Sequence, residues 1–316
     1  MYFSLIFSSF FNMRNSNIQI VNNKELDKVI WDKKICSSDS PSFFMLSWVL
    51  DILHPNWDAL VYLNYEAFMP IPKAKKIGLT YVFQPKFIRS LSIFNENEDH
   101  RLAIIAIFRE TYSLVNINLD FELKESNSNG VFQKLSIPCS RELLHNAYSK
   151  NAIRVISKLD VEIEYKLIYD AGTFIDFFKN IKNIKSLKSN SYVKLHQLIS
   201  ETLKRENGKL IAAFYNGEMI ACGFFIFFQK QVYFLKGTVN KIGREKGAFY
   251  GLIDHVLQSL LGNFEQLDFV GSNDKGVANF YRKFGAQDFH YSILKYNTIK
   301  TPVKQLANLY LQVKSQ

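Results

Sequence analysis

The chain has 316 residues, 47% hydrophobic and 22% charged, which excludes a disordered or fibrous protein and allows two ordinary domains or one large one. Its 28 Phe and 16 Tyr can build a substantial core, since each buried aromatic removes roughly 150–250 Å² from water. The net charge of +10 fits either a polyanionic partner (nucleotide phosphate, tRNA, an acidic envelope precursor) or a lysine-solvated surface, and no block of five like charges marks a nucleic-acid tail.

Cys36, Cys139 and Cys222 lie far apart with no CxxC or Cys/His ligand spacing. That usage fits a reducing, cytoplasmic compartment and argues against a zinc site. The apolar start MYFSLIFSSFF is too short to cross a bilayer, and no later stretch approaches a span. Met13 precedes the first convincing strand, so translation from Met13 is expected, with residues 1–17 an extension outside the fold.

IQIVN (18–22) alternates as a strand, and 23–35 reads as a helix capped by Asn22 or Asn23 with a stripe of Leu26, Val29, Ile30 and Ile35. A second short helix at 43–54 stops at Pro55. Strands at 57–65 and 66–75 flank a turn at Asn64, and another runs over 77–85. A helix over about 97–110 and a strand at 113–123 close this half, a first domain at 18–143.

LHNAYSKNAIRVISKL (144–159) reads as one connecting basic helix, with Ala147, Ala152, Val155 and Ile156 inward and Lys150, Arg154 and Lys158 on a shared face. That face is either solvated or turned to an anionic ligand. The order then repeats over 161–297: a strand at 161–169, helices at 171–184 and 190–205, and strands at 209–216, 219–229 and 231–239. Asn216-Gly217 is a hairpin signal. A periodic helix at 246–261, a strand FEQLDFVG, a helix GVANFYRKF and a strand at 288–296 follow, then a short helix at 302–313 in a tail over 298–316. The class is α+β with mixed sheets, and the parallel order of elements in the two halves suggests duplication.

The second half carries the chemistry. The loop NKIGREKGA holds Gly243 and Gly247 beside Lys241, Arg244 and Lys246, and opens a helix whose first N–H groups suit a pyrophosphate. Many strand-to-helix turns look like this, so the loop alone is unspecific. Asp268 ends a strand before the polar turn Gly271, Ser272 and Asn273; it is either a proton acceptor or a turn-shaping carboxylate. Tyr281 follows Phe280 on the next helix, as an acid or as a half-buried packing residue.

Three antiparallel strands, an Arg-x-x-Gly-x loop, a helix, a strand and a helix with Phe-Tyr near its middle resemble the GNAT acyltransferase superfamily. The tandem halves, with LDFVGS and FYRKFG in the second, are similar to the FemABX group. The segment SWVLDILHPNWDALVYLNYEAFMPIPKAKKIGLTYVFQP resembles an uncharacterised FemAB-like branch of Bacteroidetes type. The resemblance spans about residues 18–297 and implies two tandem GNAT-like domains, the second holding the donor site.

It further implies that Arg244, Lys246, Gly247 and Ala248 grip the donor's pyrophosphate. A backbone N–H near Leu235 to Gly237 would polarise its carbonyl, with Gly237 permitting a bulge. Ser272, Asn273 and Phe280 would border the site, Asp268 would receive the amine's proton, and Tyr281 would protonate the leaving group. The chain departs from the family pattern at Phe249, where a small residue is usual, and at Tyr281, where FemX-type proteins carry a lysine.

The implied function is acyl or aminoacyl transfer to an amine, with acyl-CoA or aminoacyl-tRNA as donor substrate, and a cell-envelope precursor among the candidate acceptors. No tightly bound cofactor or metal is expected. The alternative is a non-catalytic protein that keeps the fold to bind a ligand or partner.

Overall fold

The computed structural model describes residues 17–299 except 77, 96–97, 124–127, 183–186 and 272. The expected extension up to residue 16, the helix at 302–313 and Ser272 lie outside the described residues. The chain divides into two units, one of Met1–Asn129 with Tyr291–Gln316 and one of Gly130–His290.

In the first unit, β1 (Ile18–Asn22) leads to α1 (Lys28–Cys36), a 3-10 turn at Phe43–Met45 and α2 (Ser47–Leu53). Strands β2 (Trp57–Tyr62), β3 (Ala67–Lys76), β4 (Leu79–Phe83) and the short β5 (Phe94–Asn95) precede α3 (Glu98–Thr111) and β6 (Leu114–Leu119). The sheet runs β1-β2-β3-β4-β6, with β5 on β3. Leu63, Asn64 and Tyr65 all take positive φ, making the expected turn around Asn64.

α1 begins later than 23 because Asp27, not Asn22 or Asn23, accepts the N–H groups of Val29 and Ile30, at 3.0 and 2.9 Å. Its inward face also differs from the expected stripe. Trp31 and Ile35 are buried, whereas Val29 is 79% exposed. Trp31 takes the core position, 5.2 Å from Trp57 and 4.6 Å from Phe68 between ring centroids, and donates its Nε1–H to the carbonyl of Met45.

The second unit contains a strand that the sequence pattern did not reveal, β7 (Ser128–Ser136). After it come α4 (Arg141–Ala147), α5 (Lys150–Ile156), β8 (Glu164–Ile168), α6 (Ala171–Ile181) and α7 (Ser189–Lys204). The meander is β9 (Gly208–Tyr215), β10 (Glu218–Phe228) and β11 (Gln231–Val239). Then follow α8 (Lys241–Glu245), α9 (Ala248–Leu260), β12 (Gln266–Asp268), α10 (Lys275–Arg282) and β13 (Gln287–Asn297), of which Ser292–Asn297 already belong to the first unit and pair there with β6.

Strand order in this unit is β13-β7-β12-β11-β10-β9-β8. β11 and β12 are parallel, while the β8–β11 neighbours and the β7–β12 pair are antiparallel. Asn216 and Gly217, with φ of 51° and 78°, close the β9–β10 hairpin as expected.

The basic helix expected at 144–159 is two helices. Tyr148 leaves the helical region at ψ 144°, and Ser149 restarts it by accepting the N–H of Ala152. Ala147 is exposed rather than inward, and Lys158 falls beyond α5, so the shared basic face does not form. Tyr148 is buried where the break occurs and donates to Asp254 of α9 at 2.9 Å. Leu144, Tyr148 and Ala152 belong to the same buried cluster as Leu252 and Val256 of α9. The chain therefore enters the second unit at residue 130, a different division from one at 143 and 161.

α9 also holds a glycine in its interior, usually worth about 1 kcal/mol less than alanine. At Gly251 a Cβ would lie 1.8 Å from the hydroxyl of Tyr165, which is buried with no hydrogen-bond partner among the described residues. Gly251→Ala should therefore lower the melting temperature by about 4 °C or more instead of raising it. Adding Tyr165→Phe should recover part of that loss, read by differential scanning calorimetry.

Candidate active site

The site begins with a slip in register. Between β10 and β11, Phe224 faces Lys236 but Phe225 faces Phe234, leaving Leu235 as the extra residue of a bulge. Gly223 and Gly237 face each other beside it. A Cβ on Gly237 would come within 2.6 Å of the Phe234 ring and 2.9 Å of the Cys222 carbonyl, so only glycine fits there.

β11 and β12 then part. Their parallel pairing covers Gln231, Val232 and Tyr233 against Gln266, Leu267 and Asp268. The next N–H of the departing strand, that of Phe269, goes to the carbonyl of Gln133 in β7 at 3.0 Å. Val270 turns away with φ 56°.

The base of the gap is filled by rings. Phe269 stacks on Tyr281 with centroids 4.1 Å apart, and Phe234 meets both edge-on at 6.2 Å. Above them a cavity of about 320 Å³ stays open, lined by Phe234, Phe249, Val277, Phe280 and Tyr281 at one end and by Gly243, Arg244 and Gly247 at the other.

The glycine end is built by α8 and α9. Asn240 caps α8 by accepting the N–H of Gly243 at 2.8 Å, so the expected loop is itself a turn of helix. A Cβ on Gly243 would sit 2.5 Å from the Ile220 carbonyl. Gly247 precedes α9 at φ 70° and supplies no side-chain cap, which leaves first-turn N–H groups available to an anion. Arg244 and Lys182 are the charged residues of the lining, and neither has an ion-pair partner among the described residues.

Of the residues singled out in the sequence, Gly237, Gly243, Arg244, Gly247, Phe249, Phe280 and Tyr281 line the cavity. Among the described residues Leu235, Ala248, Asn273, Lys246 and Asp268 do not. Leu235 is the buried bulge residue, and Ala248 is buried in the first turn of α9. Asn273 accepts the N–H of Val131 through its side chain. Lys246 turns away to pair with Asp160 at 2.8 Å and lies over the Tyr215 ring, which holds the Asp160 carboxyl below and the ammonium above their ordinary values.

Asp268 is 1% exposed, and its Oδ1 accepts the N–H of Val270 at 2.6 Å, the turn-shaping role. Sequence reasoning passed over Phe234, Thr238 and Tyr250 as wall residues. The bulge at Leu235 shifts the alternation of β11, so no single period-two pattern carries both Phe234 and Thr238, and nothing local indicates Tyr250, whose hydroxyl receives Lys283 Nζ at 2.8 Å.

Tyr281 is 7% exposed and belongs to an aromatic cluster. Burial pushes its phenol well above the ordinary tyrosine value, so it keeps its proton. Such a group can donate a proton or a hydrogen bond; it cannot serve as a base.

No protein-family model and no curated protein matches the chain. Among solved structures it is similar to FemX, with a TM-score of 0.66 and 11% identity over 92% of this chain and 99% of that one. A conserved protein from Bacteroides thetaiotaomicron gives 0.57 and 11%, over 88% of this chain and 100% of that one. A tandem GNAT protein from the clavulanic acid biosynthesis pathway gives 0.51 and 9%, over 87% and 97%. At these identities the similarity establishes the fold, a FemAB-like acyltransferase fold of two GNAT-like domains. No helix among the described residues is long and apolar enough to cross a membrane.

The raised phenol sets a pH dependence. The unfolded tyrosine ionises near pH 10 while the folded one does not, so its contribution is full below about pH 10 and is lost above it. Tyr281→Phe should therefore flatten the alkaline fall of the urea midpoint between about pH 9 and 11, with little change at neutral pH.

Proposed function

We propose that the second unit is an N-acyltransferase that passes an acyl or aminoacyl group from an activated carrier to an amine. The reading rests on one observation: β11 and β12 separate beyond Tyr233 and Asp268, and the cavity there ends on a protonated phenol. Acyl-CoA or aminoacyl-tRNA is the donor substrate, in a cytoplasmic protein whose +10 charge suits an anionic carrier. A cell-envelope precursor remains among the candidate amine acceptors.

In this mechanism the carrier's phosphates lie against Arg244 and the first N–H groups of α9, since the Gly247 N–H already donates to the Arg244 carbonyl. The donor carbonyl enters the gap and accepts a hydrogen bond from strand backbone left without a neighbour beside Leu235. The neutral amine attacks the carbonyl carbon, and the tetrahedral oxyanion is held by that N–H. As the carbon–sulfur or carbon–oxygen ester bond breaks, Tyr281 gives its proton to the leaving group. The proton released by the amine passes through water and restores the phenol. Asp268 holds the turn above the gap and takes no part in proton transfer.

A second reading, a non-catalytic binding protein, draws on Phe249, whose ring lines the cavity where the resembled family has a small residue, and on Lys246, which is held by Asp160. The two readings separate in a melting-temperature screen with acetyl-CoA, longer acyl-CoAs and charged tRNA, followed by turnover assays on any that bind. The enzyme is stabilised by its donor and consumes it, whereas a binding protein does not turn it over.

Tyr281→Phe should lower turnover at least tenfold, roughly 1.4 kcal/mol of barrier, with donor affinity within about twofold. Arg244→Met should weaken donor binding about tenfold, while Lys246→Met changes it less than about threefold, both read by calorimetry. Equal effects of the two cation changes would remove the phosphate role given to Arg244.

A further inference from the structure

The charge on the cavity wall bears on which group the donor carries. Its aromatic end is formed by Phe234, Phe249, Phe280 and Tyr281 with Val277 and Ile181. Its charged lining residues are Lys182 and Arg244, both cationic, and no Asp or Glu contributes to the lining among the described residues. The undescribed positions nearest in sequence, 183–186 and 272, are Asn, Ile, Lys, Ser and Ser, so none is a carboxylate.

Glu245, next to Arg244 in the chain, is exposed and lies outside the lining, and the carboxylates on either side of the turn before α10 are engaged elsewhere. Asp268 is buried on the Val270 N–H. Asp274 caps α10 by accepting the N–H groups of Gly276 and Val277 at 2.8 and 3.1 Å.

We infer that the group carried into this cavity is an uncharged, apolar acyl chain and that aminoacyl donors are rejected, an inference that rests on the acyltransferase reading above. An aminoacyl group carries a primary ammonium next to its carbonyl. To place that carbonyl in the gap, the ammonium would have to leave water among phenyl rings with no anion to receive it. The ring faces offer some cation–π attraction, but a primary ammonium is strongly hydrated and two lining cations repel it. A hydrocarbon chain meets none of these costs and buries apolar area against rings already in place. The transfer itself is balanced: the amide bond forms, the thioester carbon–sulfur bond breaks, and the thiol leaves with the proton from Tyr281.

The test compares two donors of one skeleton, hexanoyl-CoA and 2-aminohexanoyl-CoA, with free CoA as control, in calorimetry and in turnover on a generic primary amine. The full chain should bind hexanoyl-CoA at least tenfold more tightly, about 1.4 kcal/mol. Val277→Asp, which adds a carboxylate to the wall, should bring that ratio to or below one.

Equal or tighter binding of 2-aminohexanoyl-CoA, or turnover with a leucylated tRNA acceptor-stem mimic, would overturn the inference and leave acyl transfer standing. Failure of the thioesters, free CoA and the charged RNA mimic alike to bind would overturn both.

Discussion

The parting of β11 from β12 is the constraint on which the site depends. It costs ladder hydrogen bonds, and two features offset that cost. The bulge at Leu235 changes the direction of β11, while Gly223 and Gly237 leave room for the Phe234 ring to lie along the strand. On the other side, β7 receives the N–H of Phe269, so the departing strand is paired rather than frayed. The gap is thus supported by strands on both flanks.

Polar groups set the position of α9, whose N-terminus faces the cavity. Asp254 sits on the buried face of this helix and accepts from Tyr148 at 2.9 Å and from Gln258 at 2.6 Å. That contact ties the helix to the break between α4 and α5. A buried carboxylate without such donors would cost several kcal/mol, so the break at Tyr148 and the helix position determine each other. Lys246, held over Tyr215 by Asp160, ties down the outer side of the same turn. Its near neighbour Arg244 is left facing the cavity, which divides two similar cations into different roles.

Much of this was legible wherever a local pattern met a local cause. The Asn216-Gly217 hairpin, the turn at Asn64 and the apolar face of α9 follow from turn chemistry or periodicity within a few residues, while the disturbance of β11 near residues 235–237 was expected only from the family resemblance. Strand β7 was not legible, because its buried apolar residues Phe132 and Leu135 are three apart and give no period-two alternation, and its partner β12 lies more than a hundred residues away. The start of α1 and the break at Tyr148 had local signals in Asp27 and Ser149, but competing caps and a continuous apolar stripe concealed them. Asp268 and Lys246 had the chemistry expected of a site. Only their partners, Val270 and Asp160, show that both are used structurally.

The sequence by itself determined which residues form strands and helices through most of the chain, and the order that marks a tandem acyltransferase fold, because periodicity and turn residues act over short range. It also determined that a glycine-bearing turn and a tyrosine-bearing helix follow the meander. Tertiary structure decided which of the chemically able side chains reach the cavity. A side chain's access depends on pairing and packing with residues distant in sequence, such as β7 for Asp268 and Asp160 for Lys246. Tertiary structure likewise decided the protonation of Tyr281, since rings brought together from β11, α10 and the turn after β12 remove it from water.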